Sequence, residues 1–204
     1  MPFKKDIIEN LPHCRIGELD TQKTAVIMID MINGFLKSGN LHNREALKIV
    51  PDIKALLEYA KQSNMKTIAF ADSHTKKSVE FEVFPKHCIN GTGECEIIDE
   101  LSETGGFTLI RKNSTNGFHA HEFRRFLDMN GQLESFVVCG VCTDICVMNF
   151  CLTLKSYFDN RDRKSRVILP VNMTCTANGD VMKTAACVFM KNSGTELFGG
   201  IDFD

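Results

Sequence analysis

Two cysteines stand four residues apart in GVCTDICV (140–147), where an apolar run gives way to helical spacing. The thiolate is the reactive form of cysteine. Unpaired backbone N–H groups at a helix start favour that negative charge. Cys146 falls in the first turn of the expected helix, and Cys142 in the turn before it. The helix start is therefore expected to lower the Cys146 thiol. A nucleophile of this kind also needs a proton acceptor and a cation that holds the pair together. Other strand ends offer such groups: the acids Asp30, closing TAVIMID (24–30), and Asp72, closing KTIAFAD (66–72), and the cation Lys112, closing FTLIRK (107–112). Backbone N–H groups of the turn can also cradle an oxyanion.

A second group of chemical residues lies in ADSHTKKSVEFEVFPKHCINGTGE (71–94). Asp72, His74, Glu80 and His87 are all metal-ligand types. Asp72 and His74, two apart after a strand, point the same way if the chain stays extended. Imidazoles with a carboxylate suit zinc, and also iron or manganese. Spacing alone leaves open whether the two histidines meet.

These residues must be held by regular elements. TAVIMID, KTIAFAD (66–72), FTLIRK, SFVVCG (135–140) and SRVILPV (165–171) are apolar runs that suit buried parallel strands. TELFGG (195–200) is a short sixth. Helical spacing covers 43–64, 118–130, the stretch after Cys146, and 179–192. Pro51 marks a kink or break near the start of the first of these. Residues 73–105 form a long irregular connection, and such connections are usually functional. The alternation predicts a three-layer α/β/α domain with a mostly parallel, Rossmann-like sheet of about six strands. In such sheets ligands bind beyond the carboxyl ends of the strands, where strand order reverses. Residues 1–22 read as an N-terminal extension, and 23–204 as the domain.

The hydrophobic share of 43% and charged share of 25% are ordinary for a globular protein. A net charge of −2 without charge blocks gives no electrostatic case for nucleic acid or an anionic membrane. No apolar run suits a signal peptide or a membrane span, so a cytoplasmic location is expected. The nine cysteines then read mainly as reduced, buried thiols.

Taken together, VIMIDMINGF, FADSH…FPKHCINGTGE, IRKNSTNGF and GVCTDICV resemble the isochorismatase-like cysteine hydrolases, and within them the nicotinamidase branch. The likeness runs from about Thr24 to about Leu197. It implies Asp30 as proton acceptor, Lys112 as its partner and Cys146 as nucleophile. It implies an oxyanion hole at the N–H groups of Cys142 and Cys146, with a cis Val141–Cys142 bond. Asp72, His74 and His87 fall on the metal positions, Glu80 matches a fourth ligand seen in some members, and Phe35 lines a ring pocket. The implied cofactor is one divalent ion, zinc first, with iron or manganese as alternatives. The implied reaction is hydrolysis of nicotinamide to nicotinate and ammonia, a step of NAD salvage, by an enzyme expected to be a homo-oligomer. Gly34, NSTNGF and VNMTCTAN depart from the common pattern; NSTNGF leaves the pocket wall open, and VNMTCTAN replaces a more acidic segment after the fifth strand. Another small amide or a ureido compound is the alternative substrate. A metal-binding or redox-sensing protein without catalysis, and a vinyl-ether hydrolase, are weaker readings.

Overall fold

The computed structural model describes residues 6–203. The main-sheet strands are β1 (Thr24–Ile29), β2 (Lys66–Asp72), β3 (Thr108–Lys112), β4 (Ser135–Val141), β5 (Arg166–Pro170), β6 (Thr174–Cys175) and β7 (Thr195–Phe198). Their order is β3-β2-β1-β4-β5-β7, with the two-residue β6 pairing on β4. Every pairing is parallel. The six expected strands are present, and β6 is a short seventh.

The principal helices are α1 (Val50–Gln62), α2 (His121–Met129), α3 (Met148–Asp159) and α4 (Gly179–Asn192). Pro51 does not break α1. It sits in the first turn, where its missing N–H has no partner to lose, and a 3₁₀ stretch, Arg44–Ile49, leads into it. Side chains alternate across each strand, so β1 is apolar on both faces. Val26 and Met28 join Ile53, Leu56, Leu57 and Ala60 of α1 in one core. Ala25, Ile27 and Ile29 join residues of α2, α3 and α4 in the other. Phe70 of β2, Phe123 of α2 and Phe150 of α3 pack edge-on or tilted against one another, with ring centroids 5.2–5.4 Å apart. Each such buried ring contributes about 2–3 kcal/mol, which fixes α2 and α3 on the sheet.

The segment expected to be an extension is partly built into the domain. Cys14–Arg15 pairs in parallel with Ile201–Asp202, and Cys14, Ile16 and Leu19 are buried. Residues 1–5 of that segment lie outside the described part. Among the described residues, no helix is long and apolar enough to cross a membrane.

Strand order reverses between β1 and β4, and the chain segments leaving these neighbours diverge into a crevice. Gly140, near the end of β4, has φ 116°, and a Cβ there would lie 2.0 Å from the Ile29 carbonyl oxygen. Only glycine lets the two strands meet so closely at that point.

Candidate active site

Asp30 leaves β1 at the reversal, with a left-handed φ of 55° and its side chain fully buried. Few non-glycine residues adopt this backbone, and such strain gathers at functional sites. Lys112 enters from the end of β3. Its Nζ lies 2.8 Å from Asp30 Oδ2, in an ion pair, and 3.9 Å from Cys146 Sγ. It also donates to Asp72 Oδ1, and to the Ser114 carbonyl at 3.1 Å. Carboxylate oxygens of Asp30 and Asp72 and the Cys146 sulfur all lie within 4.8 Å of one another. Three residues from three strand ends, Asp30, Lys112 and Cys146, therefore meet at one rim of the sheet.

Cys146 sits in a π-helical turn, Thr143–Val147, that leads into α3. The Val141–Cys142 bond before it is cis. The expected lowering of the thiol is not found. Burial pushes the Cys146 thiol well up, and Lys112 offsets this only in part. The resting group is a neutral thiol, because desolvation outweighs the helix start. Burial likewise pushes the Asp30 carboxyl up to about 7; Lys112 pulls it down and Asp72 pushes it further up. Neither Asp30 oxygen has a well-formed hydrogen bond. Asp30 is thus an under-solvated carboxyl whose proton affinity suits exchange near neutrality. Burial by itself would lower Lys112, but the Asp30 and Asp72 carboxylates hold it well above its ordinary value.

Asp72 faces both groups of residues. Burial would raise its carboxyl, but Lys112 and the two histidines hold it below the ordinary range. Its Oδ2 lies 3.4 Å from His74 Nε2 and 3.8 Å from His87 Nε2. The sequence reading assigned Asp72 to the metal alone. Its contact with Lys112 comes from β2 and β3 being neighbours in register, Asp72 beside Lys112.

The donor atoms of Asp72, His74 and His87 lie within 4.8 Å of one another. Glu80, on a 3₁₀ turn (Val79–Glu82), brings Oε2 to 3.6 Å from His74 Nε2. The two atoms are buried and without a hydrogen-bond partner. The His87 Nδ1 hydrogen-bonds the Pro85 carbonyl at 2.8 Å, which leaves Nε2 with its lone pair. Buried unpaired acceptors are costly, and a divalent ion would satisfy them. Two imidazoles with carboxylates fit zinc, and also iron or manganese.

A cavity of about 180 Å³ opens above these residues, lined among others by Phe35, His87, Cys142, Cys146 and Asn178. An apolar cavity of about 150 Å³ accepts benzene, so this one suits a single ring with a small substituent. The Phe35 ring lies 5.7 Å from that of His87. Of NSTNGF, Thr115 lines this cavity; Ala177 and Asn178, at the end of VNMTCTAN, line it as well. Asp144, beside the nucleophile position, accepts from Asn178 Nδ2 at 2.8 Å and from Thr176 Oγ1 at 2.5 Å. It holds that wall against the π-helical turn. This role was not foreseen, although Asp144 stood inside the quoted motif. Gly34 packs so closely that a Cβ would come within 2.6 Å of Cys88 Sγ, next to His87. All nine cysteines are free, and all but the partly exposed Cys142 and Cys175 are buried.

Fold and site define an α/β protein with a buried Cys-Asp-Lys group beside a two-histidine, carboxylate-rich cluster. Residues 24–200 match the isochorismatase domain, and the chain belongs to that family. It is 34% identical over 147 residues to Nicotinamidase 1 of Arabidopsis thaliana, a match spanning 65% of this chain and 60% of that protein. It is 26% identical over 156 residues to ureidoacrylate amidohydrolase RutB of Caulobacter segnis, spanning 63% of this chain and 65% of that one. The chain thus spans under two thirds of the length of these relatives. The crystal structure of a Pyrococcus horikoshii pyrazinamidase in complex with zinc superposes with a TM-score of 0.73. There the identity is 24%, with 86% of this chain and 98% of that one covered.

Proposed function

We propose that this protein is a metal-dependent cysteine amidohydrolase acting on a small ring carboxamide, with nicotinamide the favoured substrate. The carrying observation is the meeting of Asp30 and Lys112 with Cys146, which lines the same cavity as His87 and Phe35. The likeness to Nicotinamidase 1 supports the choice of substrate.

Asp30 takes the Cys146 proton as the sulfur attacks the amide carbon. Lys112 keeps Asp30 in place and offsets the charge that gathers there. The oxyanion is received by backbone N–H groups of Cys142 and Cys146. Asp30 returns the proton to the leaving nitrogen, ammonia departs, and a thioester remains on Cys146. Water, losing a proton to Asp30, then attacks the thioester carbonyl. The carboxylic acid leaves, and the sulfur recovers its proton. Asp72, His74, His87 and Glu80 would hold the ion, zinc first; when bound, it supplies a Lewis acid that orients a ring nitrogen. Phe35 packs on the ring.

The likeness to RutB favours a ureido compound as the second reading. Ammonia release from a panel holding nicotinamide, pyrazinamide, a benzamide and a ureidoacrylate separates the two. Pyridine and pyrazine amides should turn over at least tenfold faster than the ureido compound. The reverse ranking transfers the protein to the second reading. No release from any of them, with no single fast-reacting thiol, leaves the non-catalytic reading standing.

A further inference from the structure

His74 has two ring nitrogens, and its use as a ligand depends on which one carries the proton. Asn113, the residue after Lys112, decides this from outside the cluster. Its side-chain oxygen accepts the Thr75 backbone N–H at 3.2 Å. A backbone N–H can only donate, so that oxygen and not the amide nitrogen must face this side. The same oxygen lies 3.1 Å from His74 Nδ1. Two acceptors cannot bond, so Nδ1 must carry the hydrogen. In the neutral imidazole, the form that ligates a metal, Nε2 is then left with its lone pair. It is buried, has no hydrogen-bond partner, and faces Asp72 Oδ2 and Glu80 Oε2. Ser78 Oγ, at 3.4 Å from Nδ1, is a more distant second acceptor for the same hydrogen.

We infer that Asn113 is a positioning residue that locks the His74 tautomer and ring orientation, so that Nε2 is presented to a divalent ion. The inference rests on the metal reading above and goes beyond it, because Asn113 itself touches neither ion nor substrate. Outer partners of ligating histidines typically carry a factor of 10–100 in metal affinity. Asn113 is exposed, so water can replace part of its role, and the lower end of that range is expected.

The test is zinc affinity of the full chain, stripped by chelator and titrated in competition with a chromophoric chelator. Thiols are held reduced, and the Asp72→Ala, His74→Ala double variant supplies the background from the other thiols. Asn113→Leu, which fills the space and cannot accept, should bind zinc about tenfold more weakly. Asn113→Asp keeps an acceptor and should bind at least as tightly as the parent. Thermal unfolding of the stripped proteins checks that the variants fold; if Asn113→Leu does not, Asn113→Ala takes its place and should show a smaller loss in the same direction. A parent that binds zinc, with a leucine variant that binds it equally, overturns the inference and leaves the metal reading intact. A parent that binds no more zinc than the double variant overturns both.

Discussion

Asp30 shows how burial tunes a single side chain. Its carboxyl is raised to about 7 by desolvation first, against the pull of Lys112. A proton acceptor must be ionised to act, so kcat/KM for amide hydrolysis should rise with pH through about 7 and level off above it. A rate-pH profile checks the sign; activity falling across that range would contradict this role for Asp30. Asp30→Asn cannot accept the proton and should lose about 10²–10⁴ in kcat. Cys146→Ala removes the sulfur proposed as nucleophile. It should leave no turnover above background while the far-ultraviolet circular dichroism stays unchanged, since the side chain shrinks only by its sulfur. A thioester trapped on the parent and absent from this variant, by mass spectrometry, is the matching observation. Cys146, Asp30 and Lys112 were all legible in the sequence as residues at strand ends. The thiol's high proton affinity was not, because burial depends on what the rest of the chain packs around it.

At the scale of elements, the site depends on the close approach of β1 and β4. Gly140 permits it, and a methyl group there would run into the Ile29 backbone. Gly140→Ala should destabilise the protein by roughly 2–4 kcal/mol, from the clash together with a strained positive φ. Urea unfolding measures this, and the surviving folded fraction should show lowered kcat because Asp30 and the Cys146 turn both move. A change below about 0.5 kcal/mol would show that the strands separate easily. The strands themselves were legible, since unbroken apolar runs such as TAVIMID mark burial on both faces. The π-helical turn around Cys146 and the two-residue β6 were not. Neither has a periodicity of its own: the turn is five residues long, and β6 is defined only by its pairing with β4.

At the scale of the whole molecule, the N-terminal segment belongs to the stability of the domain. Ile16 is fully buried, in the same core as α1. Ile16→Ala should cost about 2–5 kcal/mol, read as a shift in the urea midpoint with little change in slope. A midpoint within error of the parent would restore the reading of this segment as a dispensable extension. Polar residues around Pro12 and Gly17 had hidden the contribution. Pairing of Cys14–Arg15 with Ile201–Asp202 joins residues near the two ends of the chain, and no local pattern announces such a contact.

Residue types and their spacing suffice to read the class of fold and the chemical alphabet of the site: alternating apolar runs and helical spacings, with Asp30, Asp72 and Lys112 where strands end and Cys146 in the turn after one. These are local properties, written in side-chain type and period. Packing of the whole chain is what makes Asp72 face Lys112 and both histidines at once, sets Asn113 against His74, and raises the Cys146 thiol through burial. Distances between strands and the loss of water around a charge belong to the packed whole, and no stretch of chain carries them alone.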